Sequence, residues 1–160
     1  MHRDKSSRGF TLVEILVVIA IIGILAIAGI YNYMSAITRT RQKRTMADIR
    51  VIALAWEQRA IEARSYAVSG FTYPTTNVPY ASLQGILRPT YAKELPSLDG
   101  WGKPLQFAID AQGDTYAIRS SGRDGVFETE YPDVVTDDPD CDIVYSAGNF
   151  VVYPDTMQKD

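Results

Sequence analysis

Glu14 is the residue whose placement most needs a chemical reason. It stands four residues after Phe10 inside FTLVEILVVIAIIGILAIAGIY, a run from Phe10 to Tyr31 that is otherwise almost wholly apolar. A carboxylate in hydrocarbon costs a few kcal/mol or more, depending on depth, and such residues as a rule have a partner and a task. Proteolysis between Gly9 and Phe10 would create that partner. It leaves a new α-amino group on Phe10, one helical turn from Glu14 and within reach of Glu14 on a neighbouring copy. In low dielectric such a pair counts for far more than in water. The alternative is a carboxylate that stays at headgroup depth or is protonated.

A second concentration of chemistry is acidic. Between Asp124 and Asp142 lie Glu128, Glu130, Asp133, Asp137, Asp138 and Asp140. A set so dense repels itself, and a divalent ion relieves the repulsion. Calcium takes six to eight oxygens, usually including two or more carboxylates, from a loop able to fold around it. Asp138, Asp140 and Asp142 have the opening spacing of an EF-hand, but Pro139 lies inside it and Ile143 stands where glycine is required, which excludes that motif. A solvated acidic loop, with Asp124-Gly125 a plain turn dipeptide, is the competing reading.

Other chemistry is sparse. The one histidine, His2, lies at the extreme N-terminus, so the body of the chain has no His-based metal site, triad or proton relay. Cys141 is the one cysteine, and no intramolecular disulfide can form. No nucleophile–base pair or Gly-rich phosphate loop is present, and the expectation is that the protein is not an enzyme. From Asp110 onward the chain holds twelve of its 19 acidic residues against Arg119, Arg123 and Lys159. Such a chain is not built for nucleic acid, whose phosphates demand clustered Lys and Arg.

The elements that must position these residues follow from patterning. With 46% hydrophobic and 22% charged residues, the 160-residue chain has the makings of one ordinary globular core. Residues 10–31 form a helix of about 33 Å, close to the thickness of a bilayer's hydrocarbon core, and read as a transmembrane span. From Asn32 to Arg64 no Pro or Gly intervenes, and Met46, Ile49, Ala53, Trp56, Ala60 and Ala63 make one helical stripe. The spacing predicts a continuous helix of about fifty residues, apolar all round first and amphipathic over 32–64. Residues 65–100, punctuated by Gly and Pro, read as a connecting region with one short helical turn near Ser82 to Leu87. Its aromatics, Tyr66, Phe71, Tyr73, Tyr80 and Tyr91, are expected to pack on the helix. Residues 101–160 alternate as strands over Leu105–Ile109, Tyr116–Ile118, Ile143–Tyr145 and Phe150–Tyr153, with turns at Asp110–Asp114 and Ser146–Gly148. The expected fold class is α+β, a long N-terminal helix laid on a small antiparallel sheet.

Arg8-Gly9-Phe10-Thr11-Leu12-Val13-Glu14, followed by about twenty apolar residues, resembles the leader of type IV pilins and type II secretion pseudopilins. The turn Asp99-Gly100-Trp101-Gly102-Lys103-Pro104 and the stretch Ser120-Ser121-Gly122-Arg123-Asp124-Gly125 extend the resemblance to the globular domain of the major pseudopilin. The resemblance implies a pilin fold and a leader, residues 1–9, cut by a prepilin peptidase after Gly9. The new N-terminal Phe10 would be methylated, and Glu14 would dock the subunit during assembly. It further implies a calcium site in the acidic loop. Asp124, Asp140 and Asp142 are its expected side-chain ligands, with backbone oxygens near Ser121 and Val126. The implied function is a structural one: a homo-oligomeric helical filament, the periplasmic pseudopilus of a type II secretion system, which drives protein export. Its partners would be an assembly ATPase, an inner-membrane platform protein and minor pseudopilins. The chain would sit in the bacterial inner membrane as a single-pass protein with its C-terminal domain in the periplasm.

Rival readings are a surface type IV pilin, a minor pseudopilin, and a secreted calcium-binding module released after Ala28, where Ala26-Ile27-Ala28 has the form a signal peptidase prefers. Arg39, Arg41, Lys43 and Arg44 after the span outnumber Arg3, Lys5 and Arg8 before it, so a count of positive charges alone would reverse the orientation. The leader motif overrides that count here. Many pilins also carry a Pro near the end of the apolar helix; Gly29 and Tyr31 occupy that neighbourhood in this chain.

Overall fold

The computed structural model describes residues 9–68, 77–129, 135–136 and 138–155. It divides into two units, residues 1–37 and 38–160. Helix α1, Leu12–Ala63, has 52 residues, and no Pro interrupts it. In the first unit no described side chain of α1 is buried: its large apolar side chains are exposed from Leu12, at 91%, to Ile30, at 63%. In the second unit the same helix becomes one wall of a core.

That core explains the stripe. Met46, Ile49, Ala53, Trp56 and Ala60 are buried, as their spacing predicts, and Ile52 and Ala55 join them. The buried arc is wider than one stripe because α1 meets partners on more than one side. Leu83 and Leu87 of a second helix, α2 (Tyr80–Leu87), enter the same cluster as Phe107, Tyr116, Ile118, Ile143 and Tyr145 from the sheet. Ala63, assigned to the stripe by spacing, is exposed. The helix ends there, and Arg64 turns the chain away at φ 55°. Trp56 lies wholly inside, donating its indole N–H to the Tyr66 carbonyl at 3.0 Å. Tyr66, Tyr80 and Tyr91 do pack against the core, whereas Phe71 and Tyr73 lie outside the described residues.

The sheet has six strands: β1 (Asn77–Val78), β2 (Gln106–Ile109), β3 (Tyr116–Ser120), β4 (Val135–Thr136), β5 (Ile143–Ser146) and β6 (Asn149–Pro154), in the order β1-β2-β3-β5-β6-β4. Four antiparallel pairings build it, and the one parallel pairing is β4 on β6. Along β3 the alternation is regular, with Tyr116, Ile118 and Ser120 buried. Strands β1 and β4 were not foreseen. Each is two residues long, too short to carry a period-2 signal. Both β1 and α2 fall within residues 65–100, which sequence reading treats as a connection. The helix foreseen as one turn has 8 residues there.

One turn fastens the sheet to α1. The buried Asp99 carboxylate accepts N–H bonds from Trp101 at 2.9 Å and Lys103 at 2.8 Å, and the Ser120 hydroxyl at 2.7 Å. Three donors on one carboxylate satisfy a buried charge that would otherwise be strongly unfavourable. The neighbouring Gly100 N–H donates to Thr45 Oγ at 2.9 Å, and Thr45 in turn donates to the Arg41 carbonyl at 2.9 Å. A Cβ at Gly100 would stand 2.3 Å from the Arg41 carbonyl oxygen, a helix backbone atom that cannot step aside. Gly100→Ala is therefore expected to destabilise the protein by about 1–3 kcal/mol, the usual range for overpacking a tight contact. Denaturant unfolding of the detergent-solubilised chain, followed by Trp fluorescence, measures it; an unchanged midpoint would mean the turn does not clamp the helix.

Candidate functional site

At the N-terminal site, Gly9, Phe10 and Thr11 precede the helix, and Phe10 is 83% exposed. The Gly9–Phe10 bond is thus in non-helical, accessible chain. Thr11 and Glu14 form a reciprocal cap. Glu14 Oε2 accepts from the Thr11 N–H at 2.9 Å and from the Thr11 hydroxyl at 2.9 Å, and the Glu14 N–H donates to Thr11 Oγ at 3.3 Å. This is a capping box, which satisfies donors that a helix start leaves unpaired. A carboxylate offers about four acceptor positions. Two donors on one of its oxygens leave room for an amine on the other. Thr11 was not singled out as a site residue from sequence, although Thr-x-x-Glu before an apolar run is a recognisable N-cap signal.

The acidic loop leaves the end of β3 and returns to the start of β5. Gly122, at φ 62°, brings its backbone against the returning side of the loop, just before β5. A Cβ there would meet the Asp140 and Cys141 carbonyls at 2.6 Å. The Arg123 N–H donates to the Pro139 carbonyl at 2.9 Å, the Gly125 N–H to the Ser121 carbonyl at 3.2 Å and the Glu128 N–H to Asp142 Oδ2 at 3.1 Å. The Arg123 and Glu128 bonds stitch residues 123–128 to residues 139–142, and the Gly125 bond closes a turn within the first stretch. The stretch therefore brings Ser121, Asp124, Asp140 and Asp142 into one region, while Val126 is 64% exposed.

The charges in that region have distinct surroundings. Asp142 is fully buried and faces Arg119 across 3.7 Å. Arg119 also donates to the Glu128 carbonyl at 3.1 Å and to Gln106 Oε1 at 2.7 Å, and lies 4.3 Å over the Phe127 ring. Asp124 accepts the Val126 N–H on Oδ1 at 2.9 Å, a local turn bond. Asp140 is gripped by Arg123, whose Nε and Nη2 donate to its two oxygens at 2.7 and 2.6 Å. That fork holds the Asp140 carboxyl below the usual carboxylate range and raises Arg123 above its ordinary value, with the fields of Asp138 and Asp124 adding to the latter. Lys103 donates to the Arg123 carbonyl at 2.7 Å.

Calcium can be tested against this arrangement. The donors are hard oxygens, carboxylates and carbonyls, which suits the ion. A positive charge already stands among Asp140, Asp138 and Asp124, and it is the guanidinium of Arg123. Among the described residues, no three His, Cys, Asp or Glu side chains gather closely enough to hold a metal by themselves. Glu130, Asp133 and Asp137 lie outside the described residues. The oxygens are of the type a hard cation takes, but the described side chains do not gather into a set of three, and the guanidinium of Arg123 stands among them.

Elsewhere, an open groove of about 520 Å³ is lined by residues including Glu57, Ile61, Arg64, Ser65 and Asp114. Its Ser65 hydroxyl donates to the Gly113 carbonyl at 3.1 Å and accepts from Ala67 N, and Glu57 accepts from the Tyr116 hydroxyl. These groups are spent on structure, not arranged as nucleophile and base.

Residues 4–30 match the prokaryotic N-terminal methylation motif, the segment that contains Gly9, Phe10, Thr11 and Glu14. The type II secretion system core protein G of Pseudomonas aeruginosa is 32% identical over 137 residues, covering 78% of this chain and 89% of that protein. Its counterpart in Escherichia coli K12 is 33% identical over 142 residues, covering 81% and 91%. A fimbrial protein of Pseudomonas aeruginosa is 35% identical over 120 residues, covering 74% of this chain and 71% of that protein. No solved structure matches the chain. A methylation motif at the head of an otherwise exposed apolar helix, an amphipathic continuation packed on a mainly antiparallel sheet, and 32–33% identity over about nine-tenths of the core proteins' length lead to one assignment: the chain belongs to the type II secretion core protein G family, that of the major pseudopilins.

Proposed function

We propose that the chain is a structural subunit that polymerises into the pseudopilus of a type II secretion system. The observation that carries this reading is the bare first half of α1, where the apolar side chains from Leu12 to Ile30 are about half exposed or more. Each such side chain left in water forgoes about 1.5–3 kcal/mol, so the segment demands a cover. Lipid supplies it for the stored subunit, held by one membrane span, and the same helices of sister subunits supply it in the filament. The relatives named as core protein G match over more of their length than the fimbrial protein does, which favours a pseudopilus over a surface pilus. The role is structural and not catalytic.

Processing fits this sequence of events. Residues 1–9 act as a leader, and a prepilin peptidase cuts the exposed Gly9–Phe10 bond, after which the Phe10 amine is methylated. The amine meets Glu14, whose carboxylate Thr11 already orients, on the same or the adjoining subunit. Residues 10–31 then change from membrane span to filament core while the sheet unit stays in the periplasm. An assembly ATPase, a platform protein in the inner membrane and minor pseudopilins complete the machine. Calcium, when bound in the acidic loop, would neutralise carboxylates and tie residues 121–126 to residues 140–142, with Asp124, Asp140, Asp142 and the Ser121 and Val126 carbonyls as ligands.

Three measurements test this. The intact mass of the membrane-extracted chain is expected to correspond to a methylated start at Phe10; a start at Gly29 would identify a released module instead. Glu14→Leu is expected to leave the chain in the membrane but to cut sedimentable filament at least tenfold, since an unpaired amine and a lost docking charge differ by more than 1.4 kcal/mol from the paired state in low dielectric. Filament at the normal level would remove the role given to Glu14. Chelation of the detergent-solubilised chain is expected to lower its melting temperature by a few degrees, because an ion bound only to the folded state stabilises it by mass action; an unmoved transition would argue against calcium.

A further inference from the structure

We infer that Arg39, Arg41, Lys43 and Arg44 form a band that binds the phosphates of anionic lipids at the C-terminal end of the membrane span. The inference rests on the span proposed above and adds a lipid-binding site to it. The four residues follow Tyr31 by eight to thirteen positions, and all are exposed. No acid stands between Glu14 and Asp48 in the sequence. Asp48 meets Arg44 at 3.6 Å, but that Arg44 side chain is 73% exposed, and such surface pairs contribute little. Among the described residues no acid lies within ion-pair distance of Arg39, Arg41 or Lys43. The turn at Gly100 packs on the helix here, yet the Asp99 carboxylate within it is already spent on Trp101, Lys103 and Ser120.

The distribution of the charges around α1 selects the partner. At about 100° per residue, Lys43, Arg44 and Arg41 lie roughly 40°, 140° and 200° around the helix from Arg39. Gln42, Thr45, Met46 and Ile49, all buried, fill the remaining arc. The cations thus occupy every direction that the core leaves open, within about 8 Å along the axis. A protein partner meets one face of a helix and needs its charges on that face. A headgroup layer surrounds the helix at one depth and meets them all. The depth is suitable too. From Tyr31 to Arg39 is about 12 Å of helix, and headgroups extend roughly 5–8 Å beyond the hydrocarbon on each side. Long basic side chains on a helix lean toward its N-terminus, which brings the start of the band back toward that layer. Positive charge after the span, which charge counting alone assigns to the cytoplasm, then has a ligand on its own side of the membrane.

Native mass spectrometry of the detergent-solubilised full chain, titrated with phosphatidylglycerol or with phosphatidylcholine of the same acyl chains, reads the site. Phosphatidylglycerol is expected to be retained at concentrations at least tenfold lower, an advantage that shrinks as salt rises. Arg3, Lys5 and Arg8 are unchanged in every variant, so a difference between variants belongs to the band. Replacing all four residues by Gln is expected to abolish most of the preference. Arg39→Gln with Lys43→Gln, and Arg41→Gln with Arg44→Gln, are each expected to lose part of it, because lipid meets both sides. Equal retention of the two lipids by wild type, retention of neither, or a preference that the fourfold variant keeps overturns the inference. If filament yield falls in that variant while its lipid preference stays, the band docks on acids of a sister subunit instead. Displacement of the lipid by inorganic phosphate at equal concentration identifies a free-anion site and overturns the lipid as ligand. Should the fourfold variant fail to fold, the two half-variants decide, and loss in neither or in only one refutes the band. A wild-type chain that retains neither lipid and stays in solution after detergent removal overturns the span itself.

Discussion

Apolar residues occupy every phase of the first half of α1, and among the described residues no other part of its own unit covers them. An amphipathic helix hides one stripe; a helix that is apolar all round needs a surround that water cannot supply. The constraint reaches beyond this segment to how the molecule exists at all. It must begin in lipid, and it can leave lipid only for an environment equally apolar, which identical helices provide. Glu14 is the exception written into that surface. Its carboxylate tolerates the setting because donors are supplied locally: the Thr11 hydroxyl and N–H both reach Oε2. The cap gives a structural reason for the Thr-x-x-Glu spacing that is independent of assembly. It also fixes the Glu14 rotamer while drawing on one carboxylate oxygen, Oε2.

In the second unit α1 has a different duty, as the member against which the sheet is fixed. Apolar packing supplies most of the attachment, through Trp56, Phe107, Tyr116 and Ile118. Direction comes from polar contacts, because apolar packing alone tolerates sliding. The Asp99 carboxylate organises the turn from within, Gly100 lies against the α1 backbone at Arg41, and Thr45 bonds to both. These contacts set the register of the sheet along the helix.

How much of this could be read from the residues divides along physical lines. The long helix, its change from all-apolar to amphipathic, and strands β2, β3, β5 and β6 follow from periodicities sustained over several residues. The two-residue strands β1 and β4 do not, since their pairing is set by partners distant in sequence. The capping box is legible in the Thr11-x-x-Glu14 spacing, but the same Glu14 reads first as an acid inside an apolar run. The acidic loop was legible as composition but not as geometry. Counting its carboxylates identified the charge excess, while the bases that answer it, Arg119, Arg123 and Lys103, come from β3, the loop itself and the turn before β2. Only the fold brings them to the acids.

That arrangement bears on what a divalent ion could do in such a loop. A guanidinium on the same chain acts at an effective concentration on the order of millimolar or higher, whatever the solution contains. Calcium can offer stronger bonds by gathering several oxygens at once, including carbonyls that a guanidinium cannot use because it only donates. The tether, for its part, keeps the outer carboxylates from repelling one another in the ion's absence, so the loop need not unfold when it is empty. A loop with acids alone would repel itself; with Arg123 inside it, a two-pronged fork on Asp140 closes the loop.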